Sequence, residues 1–137
     1  MNMKNVTIYV SDRVRMHPNA YTDDALGIAI EPYLSLPLDV SDKDLLEALT
    51  RCLNESRSGI PHRPWEPEET TAYYRKLGVK DQKALGKGLD VVQEETVYTL
   101  TPIDLQGRFG EPVETGEAEL IDRIREELGL TAVTAGE

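Results

Sequence analysis

The sequence has a single cysteine, Cys52, so no disulfide can form within the chain. That fits a reducing compartment. No apolar run approaches the ~20 residues of a membrane span. The opening "MNMKNVTIYV" lacks the longer apolar core and small-residue cleavage site of a secretory signal. A cytoplasmic protein with no membrane partner is the expectation. There are only two histidines, His17 and His62. They fall in different segments without the spaced Cys, His or carboxylate partners of a zinc site, so no metal and no cofactor are expected. The glycines of "GVKDQKALGKG" lack the spacing and the Gly-Lys-Ser/Thr ending of a phosphate loop. A Gly-x-Ser-x-Gly nucleophile elbow is missing too. Nothing here points to an enzyme.

Basic residues are also scarce. Among 137 residues, 25 acids face 15 bases, a net charge of −10. The imbalance is local. Residues 57–88 carry four acids and seven bases, net +3, whereas residues 89–137 carry twelve acids and three bases, net −9. Phosphate contacts need a basic surface, so direct nucleic-acid binding is not expected. A basic protein partner fits the charge, although acidity also serves solubility alone. Arg75, Lys76, Lys80, Lys83 and Lys87 form the nearest thing to a basic patch, and read as a solvated helical face.

What is present is patterned. "NVTIYV" (5–10) alternates as a half-buried strand does, and "ALGIAIEP" (25–32) reads as a second strand ending before Pro32. Between them, "NAYTDD" reads as a turn, and "PYLSLPLD" as too proline-rich for regular structure. Ser41 is a good N-cap for a helix over 41–56, with Asp42 and Asp44 at its positive end. Leu45, Leu46, Leu49, Cys52 and Leu53 fall on one arc, so Cys52 reads as a core residue. Lys43, Glu47, Arg51 and Glu55 are spaced for i,i+4 pairing on the opposite side.

Pro67 suits the start of a helix "PEETTAYYRKLG" closed by Gly78, and "VKDQKALGKG" reads as one more short helical turn. "LDVVQEETVYTLTPI" predicts two strands around a Glu94–Glu95 turn, "DLQGRFGEP" a loop, and 114–128 a closing helix ended by Gly129. Residues 130–137 read as a frayed tail. The whole predicts a single α+β domain over 1–137, with one mixed or antiparallel sheet covered by helices.

One stretch stands apart. "NESRSGIPHRPWEPEE" (54–69) gathers Arg57, His62, Arg63 and the only tryptophan, Trp65, in an acidic chain. It suits an active site, a nucleic-acid contact or a plain turn. Three prolines and the lack of partners for His62 favour a turn that redirects the chain, with Trp65 as an anchor for the next helix.

Taken in order, these segments resemble a known family. "DKDLLEALTRCLNESRSGIPHRP" is followed by "YRKLGVKDQKALGKG" and then by "VQEETVYTLTPIDLQGRFG". The leucine-rich helix running into Ser56, Arg57, Ile60 and Pro61, the Gly78-Val79-Lys80 step, Lys87-Gly88 before a strand, and a strand running into Pro102 resemble the immunity proteins of bacterial contact-dependent growth inhibition, the CdiI family. The resemblance spans about residues 25–110 and fails at the N-terminus and over the last 25 residues. It implies a cytoplasmic, non-catalytic inhibitor of a toxin C-terminal domain, commonly a nuclease that attacks tRNA. An acidic inhibitor would then meet the basic cleft of such a toxin. The expected contacts are the less compensated carboxylates of the acidic third: Asp90, Glu94, Glu95, Asp104, Glu111, Glu114 and Glu117. The competing reading is an acidic, non-enzymatic adaptor for another basic protein.

Overall fold

The computed structural model describes residues 3–23, 27–61 and 66–130. Among the described residues, eight strands form one sheet: β1 (Met3–Val10), β2 (Val14–Thr22), β3 (Gly27–Ala29), β4 (Leu34–Leu36), β5 (Arg57–Ile60), β6 (Lys87–Glu94), β7 (Val97–Ile103) and β8 (Val113–Gly116). The helices are α1 (Asp42–Glu55), α2 (Pro67–Leu77), α3 (Gln82–Leu85) and α4 (Leu120–Leu128). The strand order is β3-β2-β1-β6-β7-β8, with β4 and β5 also paired to β2. Every pairing is antiparallel except that of β5 with β2. The expected α+β domain with a helix-covered mixed sheet is what forms.

One face of the sheet is apolar. Val6 and Ile8 from β1, Val14 and Met16 from β2, Leu89 and Val91 from β6, and Leu100 from β7 are all fully buried. They pack against Leu45, Leu49 and Cys52 of α1 and Leu120, Ile124 and Leu128 of α4. The α1 cap is as expected: the Ser41 side chain accepts the Asp44 N–H at 3.1 Å. Leu46 departs from expectation, since it is 42% exposed and Ala48 takes its place in the buried arc. The ion pairs among the described residues are Arg15–Asp12, Arg108–Asp104, Arg123–Glu126 and Arg125–Asp42, so the i,i+4 series on α1 is not closed. Burial also drives the Cys52 thiol up to about 12, which suits a core residue rather than a nucleophile.

Three stretches differ from the sequence reading. Asn19–Thr22 continues β2 instead of turning. Pro18 is tolerated there because β2 changes partner around it: β4 pairs with Val14–Met16 and β3 with Asn19–Tyr21. Leu34–Leu36 is a strand despite its prolines, borrowing its ladder from β2. Val113–Gly116 is an edge strand on β7, not the start of the last helix, and a 3₁₀ turn at Glu117–Glu119 leads into α4.

The stretch 54–69 falls partly within the described residues. Arg57–Ile60 is a strand rather than a turn, while His62, Arg63, Pro64 and Trp65 lie outside the described residues. At the head of β5, Ser56 joins β1 to β2. Its hydroxyl accepts the Asn5 N–H at 2.9 Å and donates to the Asn19 carbonyl at 2.6 Å.

Candidate functional site

The opposite face of the sheet is polar. Alternation along β1 places Asn5, Thr7 and Tyr9 here, opposite Val6 and Ile8. Register then builds rows across the strands. One reads His17–Thr7–Asp90–Thr101 and the next Asn19–Asn5–Val92–Thr99, with Glu114 beside Thr99. Asn5, Thr7, Arg15, His17 and Asn19 are all buried.

Burial requires partners, and these residues have them. The Asn19 amide donates to the Asn5 side-chain oxygen at 2.7 Å and to the Thr7 hydroxyl at 2.8 Å. The Asn5 amide donates to Asp90 Oδ1 at 2.7 Å and to the Val91 carbonyl at 3.0 Å. Arg15 Nε donates to the Leu77 carbonyl at 2.8 Å, placing a cation at the negative end of α2. His17 Nε2 lies 2.8 Å from the Tyr73 hydroxyl and Nδ1 lies 3.0 Å from the Pro18 carbonyl. The carbonyl can only accept, so Nδ1 carries the proton and Nε2 accepts from Tyr73. Tyr73 stands edge-on to the His17 ring, 5.2 Å between centroids.

Burial pushes the His17 imidazole down to about 4, against a small raising effect from the Pro18 carbonyl. Its folded value is therefore below its unfolded value. The unfolded chain binds the proton more readily between about pH 4 and 6.5, so stability is intact above that window and is lost as pH falls through it. The expected loss from this group is about 3 kcal/mol. Urea denaturation of wild type and His17→Phe at pH 7 and pH 4 measures it. Equal acid losses in the two proteins would show that another group is responsible.

The seven expected carboxylates are not brought together. Asp90 sits mid-sheet on the polar face. Glu94 and Glu95 close the β6–β7 hairpin, where Glu95 takes a positive φ of 55°. Register sets Gly116 beside Val97, which in turn pairs with Glu94, so Glu117 lies at the same end of the sheet, and Glu114 is one row inward. Asp104 and Glu111 belong to the opposite end of β7. All except Asp90 are exposed.

Two of the seven are compensated, contrary to the reading that selected them. Asp104 accepts the Gln106 and Arg108 N–H groups at 2.9 Å each and pairs with Arg108 Nε at 3.1 Å, which shapes its own loop. The Arg108 N–H, with smaller contributions from the Gln106 N–H and the Arg108 side chain, holds its carboxyl below the usual range. Asp90 is half-buried and hydrogen-bonded. Burial raises its carboxyl above the usual range, with the Asn5 amide and the Thr7 hydroxyl pulling the other way. In α4, Arg123 meets Glu126 at 3.8 Å.

Sequence reasoning missed an apolar patch beside the Asp104 loop. Leu105 is 51% exposed and Phe109 68% exposed, and both border a 420 Å³ groove with Pro102 and Ile103. Their presence in a glycine-containing loop, with no sheet or helix period to hide them, was the available signal. It also missed Arg125, buried at 3% exposure, which donates to Asp42 Oδ1 at 2.7 Å and to the Val40 carbonyl at 2.6 Å.

The fold is shared with solved structures. A chain of the CdiA-CT/CdiI toxin and immunity complex from Yersinia pseudotuberculosis matches with a TM-score of 0.65 at 16% identity, covering 93% of this chain and 94% of that one. A protein of unknown function from Neisseria meningitidis matches with a TM-score of 0.65 at 15% identity, covering 93% of this chain and 92% of that one. At these identities the likeness is one of fold. No protein-family model matches the sequence, and no curated protein matches it. No helix among the described residues is long and apolar enough to cross a membrane.

Proposed function

We propose that this chain is a cytoplasmic immunity protein that binds and neutralises the C-terminal toxin domain of a contact-dependent growth inhibition system. The observation that carries the reading is the near full-length fold match to a chain of a toxin and immunity complex. The ordered motifs around Ser56-Arg57, Gly78-Val79-Lys80 and Lys87-Gly88 support it independently. The charge distribution suggests the toxin class. A nuclease needs a basic cleft, and a chain of net charge −10 is drawn to one. Such attraction raises association rates by roughly 10- to 1000-fold. The inhibitor acts by occupancy, without chemistry of its own.

Glu94, Glu95, Glu114 and Glu117 are the steering group, because they share one end of the sheet and extend into solvent. Asp104 and Glu111, at the other end, contribute less. Co-purification from the native host supplies the partner for the test. Produced alone, that partner is expected to arrest growth, and co-expression of this chain to restore it. A partner harmless to cells overturns the reading. With the partner in hand, Glu94→Gln/Glu95→Gln is expected to slow association and flatten its salt dependence while leaving dissociation unchanged. If neutralising all seven carboxylates is silent while changes at Lys80, Lys83 and Lys87 abolish binding, the partner presents an acidic face instead.

A further inference from the structure

From β6 outward the polar face is open. Asp90, Val92, Thr99 and Thr101 are half-buried, and Glu94, Val97 and Glu114 are exposed. Strand alternation puts no lysine or arginine of β6, β7 or β8 on this strip, so among the described residues the charged groups of these strands that share it are carboxylates. Asp90 lies at its inner margin. Its fixed donors are neutral: the Asn5 amide is 2.7 Å away, and none of the ion pairs among the described residues includes Asp90.

A carboxylate partly removed from water without a cation is costly to the fold. A hydrophobic or amide residue would fit the same strand position at less expense. The Asn5–Asn19–Thr7 network holds the group in one place, and one side of it faces the open strip. A cation arriving there would find a preoriented acceptor with a carboxylate-only margin.

We infer that Asp90 is the seat for one basic side chain, an arginine or lysine, of the protein partner, with the open β6–β7–β8 face as the docking floor around it. This rests on the inhibitor reading for the partner's identity, but it assigns a different role from that of the hairpin carboxylates. Glu94 and Glu95 act during approach. Asp90 acts after docking, when the pair is desolvated and its loss is felt in dissociation.

The experiment compares Asp90→Asn with Glu94→Gln/Glu95→Gln against the co-purified partner, reading association and dissociation rates and the melting temperature of the free chain. Asp90→Asn retains the oxygen that accepts from Asn5. It is expected to leave the melting temperature equal or higher and to speed dissociation by about 30-fold or more, with association nearly unchanged. Asp90→Glu, which restores charge with an extra methylene, recovers part of the loss. Dissociation within twofold of wild type for Asp90→Asn overturns the inference, and the inhibitor reading then survives through growth rescue. A partner that is not toxic but still dissociates faster from Asp90→Asn removes the toxin reading and leaves the cation seat in place. A variant that melts lower and binds normally marks Asp90 as structural only, and overturns the inference as well.

Discussion

Gly86→Ala is expected to be among the most damaging single-methyl additions to this chain, at about 2–6 kcal/mol. Gly86 closes α3 with φ 86° and ψ −152°, a conformation open essentially to glycine alone. Strain of that kind costs on the order of 1–3 kcal/mol. A second cost is steric. A Cβ at Gly86 would collide with the Val10 carbonyl oxygen and lie 2.9 Å from the Ser11 Cβ, so the end of β1 would have to move away. Overpacking of this order adds about 1–3 kcal/mol. The comparison variant is Gly78→Ala. Gly78 also has a positive φ, 77°, but a Cβ there meets nothing within 4 Å. It carries the left-handed cost alone, about 1–2 kcal/mol. Urea denaturation of both variants separates the two costs, and equal losses would mean that the β1 hairpin yields freely at Gly86.

The positions read correctly from the sequence are those whose signals are local. Ser41 followed by Asp42 and Asp44 announces α1, Pro67 and Gly78 bracket α2, and the two apolar runs of 89–103 around Glu94–Glu95 give the β6–β7 hairpin. Each is decided within about four residues by capping, fixed φ or side-chain period. The failures are decided at long range. β2 contains His17, Pro18 and Asn19, poor strand formers, and becomes a strand because β1, β3, β4 and β5 all pair with it. Val113–Gly116 is too short to display a period and is fixed by its register with β7.

The candidate site shows the same division. Net charge located the acidic third, yet it could not distinguish a solvated carboxylate from one held in a network. Asp90 and Glu94 look alike in "LDVVQEE". The difference is Asn5, 85 residues away, whose amide grips Asp90. Arg125 is likewise one charge among many in "DRIREEL" until α4 docks and its guanidinium reaches the Val40 carbonyl. Pairings of this kind have no local spacing to betray them.

Leu49→Ala is expected to destabilise the chain by about 2–5 kcal/mol, and Leu46→Ala by less than about 0.5 kcal/mol, although the two leucines are three residues apart on one helix. The difference follows from rotation. At about 100° per residue, the buried set Leu45, Ala48, Leu49, Cys52 and Leu53 centres slightly to one side of Leu49, and Leu46 falls about 90° from that centre. Leu49 is fully buried against the apolar face of the sheet, so truncation leaves a void that α1 cannot close without withdrawing Leu45 and Cys52. Leu46 is 42% exposed beside Glu47 and Thr50, and truncation there opens onto water. Denaturation midpoints with unchanged m-values give both quantities on one scale. Similar losses at the two positions would mean that α1 sits on the sheet with a different face, and that the placement of its arc is wrong. A large loss at Leu49 alone fixes the helix orientation on which the separation of the apolar and polar faces, and so the position of Asp90, depends.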